Sequence, residues 1–89
     1  MNLNGKTLLI TGIGSFIGQR TIEMALERGM KVRGLEPSPI EAQIAERKGA
    51  TVIPGSTANP MALALACEGA DIVFHTESVT QPKIGRAHV

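Results

Sequence analysis

Three glycines and one carboxylate are the residues of this 89-residue sequence whose types and spacing do chemistry. In "LLITGIGSFIGQR", Leu8 to Arg20, an apolar run stops at Thr11, glycines stand at 12, 14 and 18, and an apolar-periodic segment follows. A chain passing from strand into helix leaves the first helical N–H groups unpaired and the positive end of the helix dipole exposed. A phosphate satisfies both if the backbone admits it. Side chains at the turn would block that approach, which favours glycine. Gly12 suits the tight turn, and Gly18, in the first helical turn, suits close packing of the helix on the sheet. Glu36, in "VRGLEPSP", ends a second apolar run. It lies about 20 residues further on, the offset at which an acid accepts the hydroxyls of an adenosine ribose. A carboxylate there repels a 2′-phosphate, so the pattern predicts NAD over NADP. Taken singly, each feature has a plainer origin: glycines that only shape a βα turn, and a solvated loop glutamate. Their combination carries the reading.

The elements needed to position these residues follow from periodicity. Lys6–Thr11 is a short apolar run that suits a buried strand. Helical spacing through Ile17, Ile22, Ala25 and Leu26 follows, with Gly29 as the stop. Lys31–Leu35 reads as a second strand. Ile40, Ile44 and Ala45 mark a second helix ending at Gly49, and Thr51–Ile53 a third strand. "TANP" offers Asn59 as N-cap and Pro60 at the first helical position of a helix through Met61–Cys67. Gly69 ends that helix, and Ile72–Thr76 is a fourth strand. "ERGMKV", "RKGATV" and "CEGADIV" repeat one helix-to-strand corner around evenly spaced Gly29, Gly49 and Gly69. The alternation predicts an α/β fold with right-handed crossover helices. It is half of a Rossmann-type domain, a parallel sheet of about four strands in order 3-2-1-4.

With those residues in view, the sequence resembles the N-terminal part of the extended short-chain dehydrogenase/reductase family, the NAD-dependent epimerases and dehydratases. "TGIGSFIG", "GLEPS" and "GATVIPGSTANPMALALACEGADIVFHT" carry the likeness, over Lys6 to about Thr76. The resemblance implies a bound nicotinamide dinucleotide and redox chemistry on a sugar or other hydroxyl/carbonyl compound. Gly12 and Gly18 match the first and third motif glycines. Phe16 and Ile17 match the pair whose backbone N–H groups face the diphosphate, and Glu36 matches the ribose-binding acid. Ser15 takes the middle glycine position, with a glycine displaced to Gly14; the Ser15 Cβ is expected to crowd the diphosphate, or the hydroxyl to donate to it. Ser56 stands where the family has an Asp that contacts the adenine amino group. "HTES" replaces "HLAA", placing Glu77 near the cofactor's path. The cofactor-binding set is therefore Gly12, Gly14, Ser15, Phe16, Ile17, Gly18, Glu36 and Ser56. The family implies a structural, packed role for His75 rather than a catalytic one. Its acid/base pair, Tyr-x-x-x-Lys, has no counterpart, because the sequence contains no Tyr. The chain alone is expected to be inactive, with no catalytic residue of its own.

Composition sets the remaining limits. Two Phe, no Tyr and no Trp make the core aliphatic, and a net charge of +1 with scattered Lys and Arg points away from nucleic acid. A single cysteine excludes an internal disulfide or a Cys-cluster metal site; Cys67 is expected as a small core hydrophobe. No run reads as a membrane span and no leader pattern opens the chain, so a cytoplasmic protein is expected. Residues 1–80 read as the N-terminal part of an NAD(P)-binding Rossmann domain. Residues 81–89, "QPKIGRAHV", lose periodicity and read as a non-native or disordered tail. Ile84–Val89 also match one reading frame of a common sequencing adapter, so the chain is expected to be the front of a longer enzyme. The apolar fourth strand would then present an open edge and promote self-association. The alternative function is a non-catalytic Rossmann-type regulatory or assembly module that senses or has lost the dinucleotide.

Overall fold

The computed structural model describes residues 2–76. Seven elements alternate along the chain: β1 (Thr7–Thr11), α1 (Phe16–Glu27), β2 (Lys31–Glu36), α2 (Pro39–Lys48), β3 (Thr51–Pro54), α3 (Pro60–Cys67) and β4 (Ile72–His75). All strand pairs are parallel, in spatial order β3-β2-β1-β4. The expected order 3-2-1-4 is the observed one, and the expected boundaries hold to within a residue or so.

Local chemistry accounts for the helix ends. Ser15, Ser38 and Asn59 cap α1, α2 and α3, each accepting a hydrogen bond from a first-turn amide. Pro39 and Pro60 open α2 and α3, where a missing N–H costs nothing. The repeated corner is a left-handed glycine after each helix, Gly29, Gly49 and Gly69, with φ of 78°, 114° and 75°.

Strand alternation sorts the core into two layers. Leu8 and Ile10 face α1 and α2 with Ile13, Ile22, Ala25, Val32 and Ala45. Leu9 and Leu35 face α3 with Ala66. The handedness of parallel crossovers explains the division. The sheet grows one way from β1 to β3, placing α1 and α2 on one face; the return to β4 reverses direction and puts α3 on the other. Arg33 on β2 fastens that helix, its Nη1 donating to the carbonyls of Ala66 at 2.6 Å and Glu68 at 2.5 Å.

Several apolar residues of the helical patterns lie elsewhere than expected. Ile22 and Ala25 are buried, but Ile17, Ile40 and Ile44 are exposed. With α1 and α2 forming an outer layer, only the stripe facing the sheet is covered. Cys67 is exposed, not a core residue; Ala66 is the α3 side chain that the sheet buries. Glu77 and the 81–89 tail lie outside the described residues. Among the described residues, no helix is long and apolar enough to cross a membrane.

Candidate functional site

The glycine loop joins β1 to α1 at the carboxyl ends of the strands. Gly12 turns with φ 67°, a conformation that a side chain strains, while its amide donates to the Leu35 carbonyl at 3.1 Å. The chain then drops Ile13 into the core, fully buried. Gly34 on β2 makes room for it: a Cβ at 34 would collide with the Ile13 side chain. Gly18 meets the loop itself. A Cβ there would lie 2.8 Å from the carbonyl oxygens of both Gly12 and Ile13. Its close approach is thus to the turn's backbone, where the sequence suggested the sheet.

Glu36 sits at the end of β2 and is buried. Its Oε1 accepts from the Gly14 amide at 2.9 Å and its Oε2 from the Ser38 amide at 3.0 Å. Two backbone donors therefore compensate a buried negative charge, and no lysine or arginine is needed to hold it. A carboxylate carries about four lone-pair sites, so acceptor capacity remains for ribose hydroxyls. A Cβ on Gly14 would come within 2.9 Å of Glu36 Oε1 and 2.6 Å of Glu41 Cβ. The displaced glycine is there for the seat of Glu36 and the approach of α2.

At the start of α1 the amides of Phe16 and Ile17 have no partner among the described residues, whereas the Gly18 amide donates to Ser15 Oγ at 2.9 Å. Two of the first-turn donors thus remain for an anion at the positive end of α1. Both residues are exposed, Phe16 by 81% and Ile17 by 58%.

The end of β4 closes the loop from the other side. Thr76 Oγ1 donates to the carbonyls of Thr11 at 2.7 Å and Gly12 at 3.0 Å, and lies 3.1 Å from Ser15 Oγ. His75 Nδ1 is 2.6 Å from the hydroxyl of buried Thr11. His75 is exposed, where a packed residue was expected. Ser56 stands in the β3–α3 turn beyond β2's neighbour. Its hydroxyl accepts from the Ala58 amide at 3.2 Å and so shapes its own turn. The loop, Glu36 and α1's first turn come together; Ser56 shares only the same end of the sheet. Sequence reasoning missed Gly34 and Thr76. A glycine two positions before the strand's terminal acid was a usable signal for close approach, whereas Thr76 meets the loop across more than sixty residues. Among the described residues no group of His, Cys, Asp or Glu could hold a metal ion.

Comparison with known proteins agrees with this architecture. The family described as NAD dependent epimerase/dehydratase matches residues 8–87. Cinnamoyl-CoA reductase 2 of Arabidopsis thaliana is 33% identical over 85 residues, covering 88% of this chain and 26% of that protein. A 3-beta-hydroxysteroid dehydrogenase of Mycolicibacterium neoaurum is 34% identical over 74 residues, 81% of this chain and 19% of that protein. The chain therefore spans about a quarter or less of these relatives. Among solved structures, Pen from Bacillus thuringiensis superposes with a TM-score of 0.80 at 24% identity, over 88% of this chain and 26% of that one; at that identity the likeness concerns the fold. The 3-ketoacyl-(acyl-carrier-protein) reductase from Brucella melitensis, complexed with NADH, superposes with a TM-score of 0.68 at 25% identity, over 80% of this chain and 33% of that one.

Proposed function

The chain belongs to the NAD dependent epimerase/dehydratase family, and on that footing we propose that it is the dinucleotide-gripping front of an oxidoreductase acting on a sugar or other hydroxyl/carbonyl substrate. The observation that carries the proposal is the seat of Glu36: a buried carboxylate tied to the Gly14 amide, beside the unpartnered Phe16 and Ile17 amides. The residues fit the group. The α1 amides would hold the diphosphate, Gly12 and Gly18 keep the loop flat against the helix, and Glu36 would accept the ribose hydroxyls. Ser56 would border the adenine with a weaker contact than a carboxylate makes. The bound dinucleotide supplies hydride chemistry; the residues here only bind and orient it. NAD is the expected form, since Glu36 meets a 2′-phosphate with like charge. We place the protein in the cytoplasm, as its one exposed cysteine asks for no oxidising compartment.

Calorimetric titration of the full chain tests this. NAD binds, NADP binds more weakly, and Glu36→Ala lowers NAD affinity by about 1–3 kcal/mol. Equal or tighter binding of NADP overturns the assignment of Glu36. A second reading, a non-catalytic sensing or assembly module, draws on the departures from the motif at Ser15, Ser56 and Glu77; coding sequence downstream that continues to a Tyr-x-x-x-Lys pair would remove it.

We also propose that copies of the chain associate through β4. Among the described residues that strand pairs with β1 alone, and Val73 and Phe74 are 53% and 39% exposed on it. An open parallel edge with apolar side chains is a template for another strand.

A further inference from the structure

We infer that Ser15 and Thr76 form a hydroxyl clasp that fixes the shape of the anion-binding loop from β4, replacing the middle glycine of the motif with a positioning pair. The inference rests on the dinucleotide reading for its ligand, but the clasp itself is read from hydrogen positions that the contacts dictate. Carbonyl oxygens only accept. Thr76 Oγ1 lies 2.7 Å from the Thr11 carbonyl and 3.0 Å from that of Gly12, so its single proton is shared between those two. It has none left for Ser15, 3.1 Å away, and the Ser15 hydroxyl must therefore donate to Thr76. Ser15 Oγ in turn accepts the Gly18 amide at 2.9 Å. The chain of donors runs from the Gly18 amide to Ser15, to Thr76, and on to the two loop carbonyls.

This ordering changes what Ser15 does. Its proton is committed to Thr76, so it is not the diphosphate donor that the sequence suggested. Its Cβ is carried by an ordinary extended backbone, φ −68° and ψ 162°, so no glycine is required there for conformation. The clasp instead sets the geometry on either side. Thr11 and Gly12 carbonyls, electron-rich groups at the rim of an anion site, are engaged by a donor. The Gly18 amide is withdrawn into the cap, and the Phe16 and Ile17 amides remain. Because Thr76 directly follows β4, a strand outside the β1–α1–β2 unit, the loop's shape depends on β4 being in place. Ser15 and Thr76 are positioning residues: the groups offered to the ligand are the amides they hold in line.

The test uses the full chain in five forms: wild type, Thr76→Val, Thr76→Ser, Ser15→Ala and the double variant Ser15→Ala with Thr76→Val. Amide hydrogen exchange at Ser15 and Gly18 is followed alongside calorimetric titration with ADP-ribose and with adenosine, which lacks the diphosphate. Thr76→Val keeps the volume and removes the hydroxyl. It is expected to speed exchange of the loop amides and weaken ADP-ribose binding, each roughly five- to tenfold, with adenosine binding unchanged. Thr76→Ser restores both. Ser15→Ala matches or exceeds Thr76→Val, and adding Thr76→Val to it has little further effect, as expected for members of one chain of bonds. Loop exchange and ADP-ribose affinity that stay at wild-type values in Thr76→Val overturn the clasp, as does a loss shared equally by adenosine. If the wild type binds no ADP-ribose, the dinucleotide reading fails, and the exchange comparison alone then upholds or rejects the clasp.

Discussion

Strands β1 and β4 lie side by side in register, Leu9 against Val73 and Ile10 against Phe74, yet they live in different environments. Leu9 and Ile10 are wholly buried, one under each layer of helices. Val73 and Phe74, one strand over, are about half exposed. The difference is topological. β1 has a strand on both sides and helices above and below, while among the described residues β4 has only β1 as a neighbour. The same strand that packs least at its middle is bonded most at its end, where His75 and Thr76 reach Thr11, Gly12 and Ser15. Apolar burial therefore anchors the sheet at β1, and polar contacts tie β4 to the loop.

The largest expected effect is on that contrast itself. Ile10→Ala costs about 2–5 kcal/mol by urea unfolding, and Val73→Ala less than about 1 kcal/mol; equal losses would break the comparison. Gly18→Ala follows. Helix propensity alone favours alanine there by about 1 kcal/mol, but the new methyl meets two backbone carbonyls that a rotamer change cannot move. A net loss of about 1–3 kcal/mol is expected, and any gain in thermal stability would show that the loop yields. Val73→Lys sharpens the contrast from the β4 side. A charge on the open edge lowers self-association in sedimentation velocity at matched concentration while leaving monomer stability within about 0.5 kcal/mol. Sedimentation unchanged from wild type counts against pairing through β4. The smallest effect is the ion pair joining α1 to α2, Lys48 Nζ to Glu23 at 2.5 Å. The hydrogen bond and charge of Lys48 hold the Glu23 carboxyl below its usual range. A depressed folded value means that the contribution is present above the unfolded one and fades as pH falls through the folded one. Acid titrations of wild type and Glu23→Gln should therefore differ slightly at neutral pH and converge under acid.

Much of this architecture was legible in the residues. The strand order, the capping by Asn59 and the placement of Glu36 against the glycine loop all follow from local spacing and from the handedness of crossovers. What stayed hidden is non-local. The reason for Gly14 lies in Glu41 on the next helix, and that for Gly34 in Ile13 on another turn. The exposure of Cys67 and Ile17 depends on which stripe of an outer helix the sheet covers, and short amphipathic runs do not settle that. Ser15 could be read as a departure from a motif, but its partner could be found only once β4 was folded beside it.

Arg33 leaves one more consequence. α3 buries Ala66 and, in part, Ala62 and Leu63, while Met61 and Leu65 stand mostly in water. Beyond that apolar stripe, Arg33 Nη1 holds the helix's carbonyl end through two bonds from one nitrogen. Such a helix detaches by giving up few apolar contacts, well below the free energy of global unfolding. α3 is therefore expected to swing away first under mild stress, its amides exchanging faster than those of α1, baring Leu9 and Leu35 while the opposite layer still holds.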